Sequence, residues 1–331
     1  MSRGAVAARS CWSSWLTAWR SRTGWEGLLA TTMLLVGALT PAYLPANSPW
    51  WPRLSRVGMS GVTWQVIGSA LAITGVIVLV DAWLRLRPGL QASTVDVRAK
   101  HWTVLAVWIL PLLAAPPIFS HDAYSYAAQG WLMENDINPY EGYPGLLPGV
   151  FADQVAQEWR FTRTPYGPLS LQLQHDIVRL AGFHPYWSAV MMRIPALVGV
   201  VLIGVFLPRL ARRTGHDASF AAWFGVLNPL LVVDFVGGAH NDSFMMGLMV
   251  FGLWLATTAS WAWIPAALVI GASAAVKQPA VMAAVALPFI VHPMPSWRPR
   301  HVATALGRVV GSLVGACLLY TSDAADDLLC V

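Results

Sequence analysis

The sequence predicts an all-α polytopic membrane protein. It should have about nine transmembrane helices and one long polar outer loop carrying short interfacial helices. Three observations lead there. Of 331 residues, 56% are hydrophobic and only 11% charged, with a mean hydropathy of +0.54, where a soluble domain carries about 25% charged residues. Long apolar runs alternate with short basic clusters. The 18 tryptophans suit the two interfacial belts of a membrane protein.

Residues 1–24 hold Arg3, Arg9, Arg20 and Arg22 and read as a cytoplasmic tail. The run after them has no small-residue cleavage site, so it is an anchor and not a removed signal peptide. The expected spans are 25–44, 62–84, 102–119, 187–207, 218–236, 243–260, 262–276, 279–291 and 302–319. Together residues 25–316 form one membrane domain, interrupted by the loop 120–186. With the N-terminus inside, 14 of the 21 Lys and Arg fall on the cytoplasmic side, among them Arg85, Arg87, Arg209, Arg212 and Arg213. The loop 120–186, His240-Asn241-Asp242 and Lys277-Gln278 then share the outer, periplasmic side, and three distant polar clusters can line one cavity.

Much is excluded. The net charge of +5 is topology information and does not call for nucleic acid. Cys11, Cys317 and Cys330 form neither a disulfide framework nor a metal spacing. There is no phosphate-cradling loop, dinucleotide fingerprint or nucleophile elbow. No His, Cys or Glu set has metal-ligand spacing, so no metal site is assigned, and the need for a divalent ion stays open.

The loop opens with Ser120-His121-Asp122-Ala123-Tyr124-Ser125-Tyr126, a carboxylate, an imidazole and two phenols at the mouth of a span. Asp122 suits proton transfer to a substrate arriving along the membrane, and it equally suits capping of a following helix. Turns are marked by Asn138-Pro139 and Pro144-Gly145, and short surface helices are expected near 150–159 and 169–181. Arg160 and Arg163, beside Tyr166, offer guanidinium forks for phosphate, or salt bridges to Asp153 or Glu158. His240, Asn241 and Asp242 offer a second acid, or a helix cap. Lys277, with Gln278, lies between two apolar runs, an expensive place unless it faces water or an anion. A carboxylate near an outer membrane surface, cations able to hold phosphate, and many aromatic rings suit a donor sugar activated by lipid phosphate.

Five stretches carry a family resemblance: Asp122 with Tyr124–Gly130, Asn138-Pro139-Tyr140, Thr164-Pro165-Tyr166-Gly167-Pro168-Leu169, Gly237-Gly238-Ala239-His240-Asn241-Asp242, and Ala275-Val276-Lys277-Gln278-Pro279-Ala280. In this order they resemble the actinobacterial polyprenol-phosphomannose-dependent alpha-1,6-mannosyltransferases, which are C-type glycosyltransferases. The likeness covers about residues 25–315. It implies transfer of mannose from polyprenyl-phosphate-mannose to a mannan glycolipid acceptor in lipomannan and lipoarabinomannan assembly, at the outer face of the plasma membrane. The lipid-linked sugar is the donor, membrane lipids are the surroundings, and no further cofactor is implied. The family's early acidic base maps to Asp122, although here it follows the third expected span and not the first. His121, Tyr124, Tyr126, Arg160, Arg163, Tyr166, His240, Asn241, Asp242, Lys277 and Gln278 are the expected substrate contacts.

Residues 317–331 break the last apolar run with three acids and resemble translated sequencing read-through, so a truncated chain is expected. The competing readings are a transporter or flippase of lipid-linked sugars, and a non-catalytic glycan-binding scaffold. The one-sided polar clusters and the lack of an evident repeat weigh against transport.

Overall fold

The computed structural model describes residues 13–45, 48–89, 101–291 and 296–320. Every regular element among them is helical. The expected artefact tail is helical up to Tyr320, and residues 321–331 lie outside the described residues. Two compact units emerge from the described residues. One holds the chain up to Ala123 together with Ser219–Ala239, and the other holds Tyr124–Ala218 and the chain from His240 onward.

In the first unit, α1 (Arg22–Ala38) starts at Ser21, whose hydroxyl accepts from the Gly24 amide at 3.0 Å and so satisfies one orphan donor. After α2 (Trp51–Arg56) comes α3 (Val62–Arg85), which packs along α1. Gly37, Gly68 and Gly75 let the two backbones close; a Cβ at Gly68 would collide with Thr40. α4 (His101–Ile109) places Trp108 in the space left by Gly27, and its indole donates to the Thr23 carbonyl at 3.1 Å. The expected span 102–119 is interrupted. Helix ends at Ile109, a 3₁₀ turn follows at Pro111–Leu113, and Pro116-Pro117 keeps the chain non-helical up to His121.

α5 (Asp122–Glu134) starts in the first unit and continues from Tyr124 in the second. The loop then makes 3₁₀ turns at Pro144–Leu146 and Ala152–Gln154, the single turn α6 (Gln157–Arg160), and the amphipathic α7 (Pro168–Leu180). The helix expected near 150–159 is therefore only these short turns, whereas the one near 169–181 is present. α8 (Pro185–Met191) leads into α9 (Arg193–Arg213). α10 (Ala218–Val226) and a π-helical stretch, Leu231–Gly237, contribute to the first unit and are bent by 50° at Asn228-Pro229. α11 (Asp242–Ala256), α12 (Trp263–Ala274), a 3₁₀ turn at Gln278–Val281, α13 (Met282–Val291) and α14 (Pro299–Tyr320) complete the second unit.

By length and composition Val62–Arg85 and Pro185–Arg213 can each cross a membrane, and the bent pair α10 with Leu231–Gly237 makes a third if it is one span. α9 and α11 run parallel. Gly199 faces Ser243, Phe206 meets Phe251 and Trp254, and Arg213 reaches Thr257. At the crossing point Ser243 donates to the Ala196 carbonyl at 2.6 Å, and a Cβ on Gly199 would strike the Ser243 backbone. Small residues at this point let dispersion contacts and a backbone-directed hydrogen bond hold the pair where apolar burial gives little.

Gly199→Leu should therefore force α9 from α11. It is expected to destabilise the detergent-solubilised protein by about 1–3 kcal/mol in denaturation, while Val198→Leu on the exposed face changes it by less than about 0.5 kcal/mol.

Candidate active site

The site in the second unit grows from a broken helix. α12 ends at Ala274, and Lys277 is extended (φ −154°, ψ 125°) before the next 3₁₀ turn. A break in an apolar segment strands backbone carbonyls, which must be satisfied locally. Here the start of α7 does it. The Gly167 amide donates to the Val276 carbonyl at 3.1 Å, and the amides of Leu169 and Ser170 donate to Ala275 at 2.9 and 3.3 Å. The N-terminus of α7 has no side-chain cap, so each helix end supplies what the other lacks. Gly167 is required for the approach, since a Cβ there would run into the Ala275 backbone.

This docking sets Tyr166 beside Lys277. The Lys277 ammonium lies 5.7 Å from the Tyr166 ring centroid and 2.9 Å from both carboxylate oxygens of Asp242, the first residue of α11. The carboxylate also faces the positive end of the α11 dipole. Both side chains are about 30% exposed, at 30% and 28%, so water still screens the pair. An ammonium has one donor more than these two bonds use, and that donor can meet an anion.

Behind the pair is a buried polar chain. Tyr126 stands edge-on to Tyr166 with centroids 5.1 Å apart. Its hydroxyl donates to Asn241 Oδ1 at 3.3 Å, and Asn241 Nδ2 donates to Ser170 Oγ at 3.1 Å, where Gln174 also donates at 3.0 Å. Thr164 donates to Gln129 at 3.1 Å and accepts the Tyr166 amide, while its own amide reaches the Pro139 carbonyl at 3.2 Å. The motifs around residues 126, 139, 166, 241 and 277, scattered in sequence, thus converge through direct bonds.

The other expected residues take varied places. Tyr124 is buried near Arg193, itself only 2% exposed, and burial pushes the phenol far above its ordinary range, so it stays protonated. Arg160 holds Asp153 at 2.6 Å, the salt-bridge alternative open to it from sequence. Arg163 is exposed. Gln278 is half-buried at the start of the 3₁₀ turn after Lys277, and His240 is half-buried just ahead of Asn241. His121 is exposed in the first unit, and Asp122, half-buried there, is the first residue of α5. The Asp122 amide donates to the Ser120 hydroxyl at 3.1 Å, so Ser120 supplies a capping acceptor at this end. Ser170, Gln174, Gln129 and Thr164 were not foreseen as site residues. Their signal is polarity on helix faces or turns that are otherwise apolar, as at Ser170 and Gln174, spaced i and i+4 on the buried face of α7.

The ion pair's worth is measurable. In a double-mutant cycle of Lys277→Met and Asp242→Asn, followed by denaturation in detergent, each single change should cost more than its share in the double. The coupling is expected to be about 0.5–1 kcal/mol, the range for partly exposed pairs.

Comparison with known proteins agrees with the motifs. Residues 24–294 match the family described as alpha-(1->6)-mannopyranosyltransferase, N-terminal domain. The alpha-(1->6)-mannopyranosyltransferase A of Mycobacterium tuberculosis is 34% identical over 244 residues, 72% of this chain and 46% of the relative. The enzyme of the same name from Corynebacterium glutamicum is 32% identical over 69% of this chain and 47% of its own. A probable alpha-(1->6)-mannopyranosyltransferase of Mycolicibacterium smegmatis is 35% identical over 70% of this chain and 42% of its own. The chain thus spans less than half the length of these curated relatives. No solved structure matches it. With the family's N-terminal domain matched from residue 24 to 294, and with its motifs joined around Lys277, the chain belongs to the alpha-(1->6)-mannopyranosyltransferase family.

Proposed function

We propose that this chain is part of a membrane mannosyltransferase that moves mannose from polyprenyl-phosphate-mannose to a growing alpha-1,6-mannan glycolipid, in lipomannan and lipoarabinomannan assembly. The observation that carries the reading is the Lys277 ammonium, held by Asp242 beside Tyr166 in a chain of this family. A cation with a spare donor next to an aromatic face suits a sugar attached to phosphate. In this reading about nine spans cross the plasma membrane and the polar loop lies on the outer face, as the Lys and Arg bias favours.

The chemistry is an inverting displacement. The acceptor 6-hydroxyl attacks the anomeric carbon of mannose, and the bond from that carbon to the phosphate oxygen breaks. The electron pair leaves on polyprenyl phosphate, whose charge Lys277 meets. The Asp122 carboxylate takes the hydroxyl proton. Nothing beyond donor and acceptor is consumed, so the balance needs no cofactor. Tyr124, Tyr126, Tyr166, His121, His240, Asn241 and Gln278 would orient the sugars, and Arg163 with the donors of Arg160 not used by Asp153 would meet the lipid phosphate or acceptor.

Asp122→Asn keeps the side chain's size but removes the base. In the full-length protein it should lower turnover by about 10²–10⁴ with donor binding nearly unchanged. Capping alone predicts little loss, because Asn caps about as well as Asp and Ser120 already accepts the helix-end amide. Near-normal turnover at normal expression would remove Asp122 from the mechanism.

A further inference from the structure

At the opposite end of the second unit's long helix lies a basic cavity that the transferase chemistry does not use. Arg209, Arg212 and Arg213 stand at i, i+3 and i+4 on the last turns of α9, on one face, and with Trp254 of α11 they line a cavity of about 390 Å³. Its apolar side is built. Phe206 lies 4.6 Å from Phe251 and 4.7 Å from Trp254, centroid to centroid, and the Arg209 guanidinium sits 5.8 Å from the Phe206 ring. The cations keep free capacity. Arg213 uses one N–H on the Thr257 carbonyl at 3.1 Å, Arg209 uses one on Val205, and among the described residues none of the three is in an ion pair. Trapping of positive charge on the cytoplasmic side explains the sign of this cluster. It does not explain three guanidinium forks gathered around one cavity with an indole at its wall.

We infer that this cavity binds the phosphate of an anionic phospholipid headgroup, with guanidiniums on the phosphate oxygens and Trp254 and its neighbours against the glycerol. Guanidinium forks match phosphate geometry bidentately, and basic pockets beside membrane helices favour such headgroups. The lipid source is favoured over free phosphate by the aromatic wall and by the apolar face of α9 below it, where Val198 and Val201 are exposed. The site stands apart from the proposed reaction and does not rest on it; it rests on the helix lying in a membrane.

The test uses the full chain in neutral detergent and native mass spectrometry, titrated with dioleoyl phosphatidylglycerol, with dioleoyl phosphatidylcholine, and with glycerol 3-phosphate as competitor. One phosphatidylglycerol should bind about tenfold more tightly than phosphatidylcholine. The charge-preserving triple variant Arg209→Lys, Arg212→Lys, Arg213→Lys should lose about that factor, because an ammonium lacks the fork. The control Arg298→Lys, Arg300→Lys should lose nothing. Equal binding by the triple variant, or an equal loss in the control, would reduce the cluster to unspecific charge and overturn the site. Glycerol 3-phosphate competing at the same concentration as the lipid would overturn the lipid assignment in favour of a free phosphate. The comparison of the two lipids and the glycerol 3-phosphate competition both run on the unmodified protein, so they decide even if the triple variant fails to fold.

Discussion

Two helix ends answer each other at the centre of the second unit, and the candidate site depends on that contact. Breaking an apolar helix after Ala274 leaves carbonyls at Ala275 and Val276 that are buried away from water and need partners. Starting α7 at Gly167-Pro168 leaves amides in the same predicament. Three amide-to-carbonyl bonds between residues 167–170 and 275–276 resolve both. The contact is backbone to backbone, so its geometry is tight, and only glycine fits at 167. Tyr166 and Lys277 are the immediate neighbours of the bonded residues, and their proximity is a direct consequence.

Charge then completes what the backbone begins. Lys277 without Asp242 would be an ammonium beside an aromatic ring at the edge of an apolar bundle, a costly position. Asp242 is held there by the parallel packing of α9 and α11, which closes on Gly199 and Ser243 next to it in sequence. Small residues in one helix pair thus support the placement of a carboxylate, and the carboxylate holds the cation with both oxygens. The pair is partly exposed, so its contribution to stability is modest; its consequence is an ammonium fixed in place by the fold.

Much of this was legible in the chain. The apolar run at 62–84 is the helix Val62–Arg85, because a run without proline leaves no competing conformation, whereas the run at 187–207 is divided at Met192 between α8 and α9 and its helix continues to Arg213, with Pro195 in the first turn of α9 where no intrahelical amide is missed. The runs at 102–119 and 218–236 read as continuous by hydropathy, yet Pro111, Pro116, Pro117 and Pro229 break them, since a missing amide outweighs apolar character. The polar motifs singled out Tyr126, Tyr166, Asn241, Asp242 and Lys277, and the structure brings these five side chains together. What spacing could not show is the bonding between them. That depends on backbone groups at 167–170 and 275–276 that every residue possesses, and on the hydroxyl of Ser170 and the amide of Gln174, whose only signal is their polarity at i and i+4 on a buried helix face. Arg160 illustrates the opposite case: its guanidinium suits phosphate, and a nearby Asp153 engages it in the loop.

In the proposed reaction the docked helix ends hold Lys277 where the donor's phosphate arrives. This placement is tested most directly by the affinity of the full-length protein for polyprenyl-phosphate-mannose in Lys277→Gln and Lys277→Arg. Donor binding should weaken at least about tenfold in Lys277→Gln, with part of the loss recovered by Lys277→Arg, as a charge-assisted hydrogen bond to phosphate requires. Unchanged donor affinity in Lys277→Gln, in a protein that denatures like the parent, would contradict it.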